Sequence, residues 1–216
     1  MSATVIKYHA GMARWQPDAR SRLGRAAMEL YVERGFANTT VADIAERAGL
    51  TERTFFRYFA DKREVLFSGS EELQELMVNA VRDAPSGVAP MEAASAGLEA
   101  SAAVFQDRRE FARVRNGIIT ATPELQEREL IKLATLKSAM ADALRGRGVT
   151  EPAASLTAEA AIGVFHVAFG RWVSQSDSAE FLDLIHETLE QFQQVASTAG
   201  FRARSVSAGN AVVHQG

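Results

Sequence analysis

The stretch that most limits what this chain can become is TVADIAERAGLTERTFFRYF, Thr40 to Phe59. It holds two helical patterns, each about two turns long, with only Gly49 and Leu50 between them. Val41, Ile44, Ala45 and Ala48 follow the i, i+3, i+4, i+7 spacing of a buried helix face. Thr40 stands where an N-cap belongs, and Asp43 lies three residues on, as in a capping box. Gly49 stops that helix by supplying a positive φ without a Cβ clash. Thr51 can cap the next helix at once, on which Phe55 and Phe59 are four apart and share a face. Two short helices joined by a turn carrying Gly make a helix-turn-helix.

The rest of the chain reads at the helical period, with no convincing strand run. Pro17 is placed to open the first helix, Leu23, Ala27, Leu30 and Tyr31 to form its buried stripe, and Gly35 to end it, with Phe36 folding back. A fourth helix is expected from Asp61, with Glu64 in a capping-box relation, to about Asp83, where Ala84-Pro85-Ser86-Gly87 breaks it. Longer helices are expected at about Pro90–Gln106, Asp107–Thr120, Glu124–Arg145, Pro152–Gln175 and Ser178–Thr198, with Ser176-Asp177 a turn. The expectation is an all-α protein in five parts. Residues 1–16 form an extension, 17–60 the helix-turn-helix domain and 61–84 a connecting helix. Residues 85–199 form a larger helical domain and 200–216 a mobile tail.

In the helix-turn-helix the inward residues Ile44, Ala48, Leu50, Phe55 and Phe59 can share a core with the first helix. That leaves Thr51, Arg53, Thr54, Arg57 and Tyr58 outward. A recognition helix presents its N-terminal residues to base edges in the major groove. Arg53 lies in that first turn, and its planar fork can donate to guanine O6 and N7. Thr54 is short enough for a thymine methyl or a phosphate. Tyr58 and Lys62 can donate to phosphate. Charge distribution agrees weakly. From Met1 to Phe67, 11 Lys and Arg face 8 Asp and Glu, whereas the whole chain carries a net charge of −3.

At these residues the chain resembles the TetR family of bacterial transcription regulators. AAMELYVERGFANTTVADIAERAGLTERTFFRYFADKREVL follows the family pattern GF..TTV..IA..AGVS..T.Y.YF..K..L nearly throughout. The resemblance implies a three-helix DNA-binding domain on a larger all-α ligand-binding and dimerisation domain, with repression relieved by a small molecule. Carried over by position, it implies phosphate contact at Thr40 and Lys62 and operator contact at Thr51, Arg53, Thr54, Arg57 and Tyr58. Phe56 stands where many members have tyrosine, and Arg53 where many have a small residue or proline, so base preference does not carry over.

The C-terminal part carries less signal. The helix from Pro152 is apolar almost all round, which marks burial on more than one side. Phe165, Trp172, Phe181, Ile185, Leu189 and Phe192 are the expected homodimer interface, although a monomer's core helix gives the same pattern. Candidate ligand contacts are Met77, Phe105, Arg115, Ile119, Met140, Phe165, His166 and Phe169, large apolar groups with a few polar ones, as ligand sites have. The same residues describe an ordinary core. His166 alone on an apolar helix fits a hydrogen-bonded core histidine, and Arg115 fits either a ligand carboxylate or an internal one.

The alternatives are an activator or a regulator without a small ligand and, from another class, a small-molecule-binding helical protein or enzyme whose N-terminal helices are only structural, which salt-dependent DNA binding separates. Cysteine is absent, so neither disulfides nor thiolate metal sites arise. No Walker loop, G-x-S-x-G or H-E-x-x-H occurs, and no metal or cofactor is expected. No uninterrupted apolar run reaches the roughly 18–20 residues that span a bilayer, and MSATVIKYHAGMARW lacks a signal peptide's apolar region. The expectation is a cytoplasmic, non-enzymatic homodimer that binds a near-palindromic duplex operator and an unidentified apolar or aromatic effector, without membrane attachment.

Overall fold

The computed structural model describes residues 18–198 except 106 and 176–178. Pro17, the extension at 1–16, Gln106, the turn at Ser176-Asp177, the start at Ser178 and the tail at 200–216 lie outside the described residues. Among the described residues there are nine helices: α1 Ala19–Arg34, α2 Val41–Arg47, α3 Glu52–Tyr58, α4 Ser70–Asp83, α5 Pro90–Phe105, α6 Arg109–Thr120, α7 Pro123–Gly146, α8 Ala153–Ser174 and α9 Phe181–Thr198. The chain is all-α, with an N-terminal helix-turn-helix and a C-terminal helical region.

Helix α1 starts on Asp18, whose carboxylate accepts from the Ser21 amide at 2.7 Å. It ends at Gly35, whose φ of 82° only glycine takes without strain. One boundary differs from the sequence reading by more than three residues. Asp61 does accept from the Arg63 and Glu64 amides, but the chain then winds through turns to Gly69, and α4 begins at Ser70. Val65, Leu66 and Phe67 are all buried. Three consecutive residues cannot share one face of a regular helix, so a turn buries what a helix would expose. Glu64 does not reach back to complete a box; it pairs with Arg128 and Lys132.

The chain folds as two compact units. One takes in the chain up to Leu76 together with Arg108–Ala139, so α6 and much of α7 group with the N-terminal helices. Leu23, Leu30, Tyr31, Ile44, Phe55 and Phe59 are buried there in one cluster with Ile119 and Leu125, and Leu50 packs partly buried against it. Arg115 ties the same unit together. It donates to the Leu66 carbonyl at 2.6 Å, pairs with Glu129 at 3.2 Å and lies over the Phe67 ring.

The other unit holds Met77–Asp107 and the chain from Met140 on. Its centre is a cluster of rings from three helices: Phe105 of α5, Phe165, Phe169 and Trp172 of α8, and Phe181 of α9, with centroids 5.1–6.3 Å apart. Helix α8 is long and apolar enough by composition to cross a membrane. Nine of its residues are buried, and it packs against α5 and α9 as a core helix does. Helix α5 approaches α4 so closely at Gly97 that a Cβ there would stand 2.9 Å from the Met77 carbonyl oxygen. Arg147 closes the α4 terminus by donating to the carbonyls of Arg82, Ala84 and Pro85 at 2.7–2.9 Å.

Candidate DNA-binding surface

Helix α2 opens with the capping box read from the sequence. The Asp43 amide donates to Thr40 Oγ1 at 3.1 Å, and the Thr40 amide returns a bond to the Asp43 carboxylate at 2.8 Å. The Thr40 hydroxyl also donates to that carboxylate. These bonds, with Arg34 beside them, hold the Asp43 carboxyl below its usual range. The box fixes the backbone at Thr40, whose side chain remains at the surface.

Gly49 has a φ of 64°, so the left-handed turn between α2 and α3 is present. Thr51 Oγ1 then accepts from the Thr54 amide at 3.2 Å and caps α3. Phe55 and Phe59 are buried, with centroids 5.4 Å apart, and Ala45 and Ala48 are small where the helices meet. With the inward face filled, Thr51, Arg53, Arg57 and Tyr58 are exposed and Thr54 is half-buried. Phe56 is exposed too, an aromatic ring without a hydroxyl on the same surface.

The cations of this unit differ in how far they are committed. Arg47 is held in a forked pair with Glu33 at 2.8–2.9 Å, Arg34 meets Asp43, and Arg63 meets Asp61. Arg57 donates to the Tyr58 hydroxyl at 3.0 Å and leans over its ring. Arg53 forms no hydrogen bond or ion pair with any described residue. Lys62 points inward. Its ammonium donates to the carbonyls of Phe36 and Thr39 at 2.8 Å each, approaches that of Ala37 at 3.5 Å, and covers the Phe36 ring. Arg22, which the sequence reading did not single out, donates to the carbonyls of Ala48 and Gly49 at the end of α2. Nothing in the local sequence marks it; an arginine on α1 looks like any solvated surface charge.

The C-terminal candidates fall differently. Phe165, Trp172, Phe181, Ile185 and Leu189 are inside the chain, Trp172 only 2% exposed, so they serve its own core; of the expected interface set Phe192 alone is exposed, at 37%. Apolar side chains fill the interior first, and the sequence pattern does not separate that from a surface seam. The outward stripe of α8 carries Leu156, Gly163, Val167 and Gly170, with Val167 50% exposed. His166 is exposed as well, not a core histidine.

The expected ligand contacts are divided between the two units. Arg115 and Ile119 belong to the N-terminal unit, the others to the second. The Arg115 guanidinium is taken by Leu66 and Glu129; burial pulls its pKa down and Glu129 opposes the shift. Ile119, Met77 and Met140 are fully buried, and Phe105, Phe165 and Phe169 pack on one another. Two open grooves, of about 390 and 320 Å³, lie on the N-terminal unit and touch none of the eight. Among the described residues, no group of three acidic or histidine side chains is arranged to hold a metal.

An all-helical chain with a capped helix-turn-helix on one unit is a DNA-binding regulator in architecture, and comparison with known proteins gives the family. Residues 24–68 match the model of bacterial regulatory proteins of the tetR family, and residues 88–197 match the MftR C-terminal domain. The chain belongs to the TetR family of DNA-binding transcription regulators, a family of regulators and not of enzymes. It is 38% identical over 81 residues to the HTH-type transcriptional regulator TcmR of Streptomyces glaucescens, covering 38% of this chain and 36% of that one. It is 27% identical over 150 residues to the putative mycofactocin biosynthesis regulator MftR of Mycobacterium tuberculosis, covering 68% of this chain and 76% of that one. The fold is similar to that of FadR from Bacillus subtilis in complex with stearoyl-CoA, with a TM-score of 0.54, 20% identity, and 80% and 96% of the two chains covered.

Proposed function

We propose that the chain is a cytoplasmic, homodimeric repressor that binds a near-palindromic operator through α3 and releases it on binding an apolar small molecule. The observation that carries the DNA-reading part is Arg53. It is an exposed guanidinium in the first turn of a capped recognition helix and is not committed to any described neighbour. Such a fork suits guanine O6 and N7. Thr40, Thr51, Thr54, Arg57 and Tyr58 surround it with donors for phosphate and base edges.

The dimer is supported by what remains outside. Leu156, Val167, Leu182, Phe192 and Val195 on α8 and α9 are large apolar groups left at the surface, and Gly163 and Gly170 beside them allow a helix to approach closely. Val167→Glu should give a folded monomer in sedimentation at micromolar concentration, where the wild type is a dimer. A monomeric wild type would end the dimer reading. Two-fold symmetry then asks for recognition helices about 34–36 Å apart.

Selection of bound sequences from random duplexes tests the operator; recovery of no inverted repeat would count against it. The selected operator is then challenged with candidate effectors. Because the Bacillus subtilis FadR structure contains stearoyl-CoA, a long-chain acyl-CoA is one probe beside free apolar aromatics. An effector must weaken operator binding, and by linkage the operator must weaken effector binding by the same factor. Failure of every bound compound to shift operator affinity would remove the effector reading and leave DNA binding intact.

A further inference from the structure

We propose that Arg22 and Lys62 are positioning residues for operator binding: each spends its charge on backbone carbonyls at one end of α2, and so sets where the DNA-facing backbone lies without touching DNA. The proposal rests on the reading of Thr40 and Arg53 as operator contacts.

The chain from α1 to α2 is irregular backbone, and its carbonyls need donors. Thr39, fully buried, donates its hydroxyl to Gly35 at 2.9 Å, and Asn38 donates to Arg34 at 3.0 Å. Phe36 and Thr39 turn their carbonyls to Lys62. An ammonium has three donors, and the three nearest acceptors are the carbonyls of Phe36, Thr39 and Ala37. The lysine backbone is itself held, since the Tyr31 hydroxyl donates to the Lys62 carbonyl at 2.6 Å. Burial, with Asp61 second, pushes the Tyr31 phenol pKa up, so it remains a donor. Thr40 follows Thr39 directly. The position of its hydroxyl at the surface is therefore set from one side by the buried end of Lys62 and from the other by the capping box with Asp43.

The other end of α2 repeats the device. The carbonyls of Ala48 and Gly49 meet the Arg22 guanidinium, where a helix C-terminus favours a cation. Gly49 leads through Leu50 to Thr51, the cap of α3, and two residues later to Arg53. A Cβ at Gly49 would lie 3.0 Å from the Arg22 nitrogen, so the guanidinium occupies the space beside the turn. Lys62 acts on Thr40, and Arg22 acts on Arg53.

Double-mutant cycles on the full chain test this, because coupled residues fail to add and independent ones add. Lys62→Met and Arg22→Met should each weaken operator binding roughly tenfold or more, with an unchanged slope of log affinity against log salt. Thr40→Val combined with Lys62→Met should bind no worse than the weaker single variant, and so should Arg53→Ala combined with Arg22→Met. The crossed pairs, Lys62 with Arg53 and Arg22 with Thr40, should multiply. Tyr31→Phe, which removes one buried hydroxyl and no surface group, should give a smaller loss that also merges with that of Thr40→Val. It serves if Lys62→Met fails to fold. A slope reduced by about one per half-site would place Lys62 on a phosphate and overturn its assignment. Multiplicative losses in the paired variants would overturn the positioning role. Should Thr40→Val or Arg53→Ala alone leave binding unchanged, the contact reading fails instead, and the two failures are told apart.

Discussion

The stretch from Thr39 to Phe59 and the pair α8–α9 are held in opposite ways. In the first, polar groups hold irregular backbone. Thr39, Thr40, Asp43 and Thr51 each have a named hydrogen bond, and Arg22 and Lys62 sit on carbonyls. In the second, five rings from three helices fill a space by shape, and the buried Thr188 hydroxyl donates only to the Leu184 carbonyl of its own helix, while Arg171 pairs with Glu187 nearer the surface. Position-specific hydrogen bonds tolerate few substitutions, whereas a packed apolar core accepts others of similar volume. One region is therefore written as a motif and the other only as a composition.

The comparison can be broken from the packed side first. Phe181→Ala deletes a ring at the centre of the cluster, only 2% exposed, and should cost about 3–5 kcal/mol of stability. Urea unfolding measures it. A midpoint near wild type would mean that the rings are not the core of their unit. A folded monomer with unchanged stability would return Phe181 to the dimer interface.

Arg53→Ala probes the polar side with the next effect. It should cost roughly 1–3 kcal/mol of operator affinity and relax the preference at one base position per half-site, while the thermal midpoint stays put. If affinity and preference both match wild type, α3 reads bases through other groups.

Gly97→Ala tests close approach inside the second unit. The new Cβ would meet the Met77 carbonyl and the Val81 side chain at 2.9–3.0 Å, and a backbone oxygen cannot rotate away. A loss of about 1–3 kcal/mol is expected from overpacking. A neutral result would mean that α4 and α5 slide apart without cost.

The smallest effect is a pH dependence. The Asp43 carboxyl is held below its usual pKa by the Thr40 hydroxyl and amide and by Arg34. Between the folded and unfolded pKa values the unfolded chain binds more protons. The contribution is complete above the usual carboxylate range of about pH 4 and fades as pH falls through the folded value. Asp43→Asn should flatten that part of the stability curve below about pH 4, leaving slope from Asp18 and Asp61, whose pKa values are lowered too. An identical acid limb would show that the capping box adds no pH-dependent stability.

Much of this was legible beforehand because backbone rules are local. Gly35 and Gly49 do take positive φ, Thr40 and Asp43 do form a box, and most helix ends fall within about two residues of their expected places. The capping signals at Asp61 and Glu64 predict a helix start that the chain does not make, because Val65, Leu66 and Phe67 are buried together. The grouping of α6 with the N-terminal helices left no mark in the chain order, since the core that gathers Ile119 with Leu23 and Tyr31 joins residues about ninety apart.

By itself the sequence determined most of the helices, the start of α4 excepted, with the turn between α2 and α3, the outward set on α3 and the family. Each depends on residues within a few positions of one another, where covalent geometry limits the choices. Only the tertiary structure decided where Lys62, Arg22 and Arg115 spend their charges, and whether Trp172 and Phe181 face the chain's interior or another surface. A cation on a helix reads the same whether it meets water, phosphate or a carbonyl, and a ring reads the same in a core or at a seam. What distinguishes them is the neighbour brought up from far along the chain.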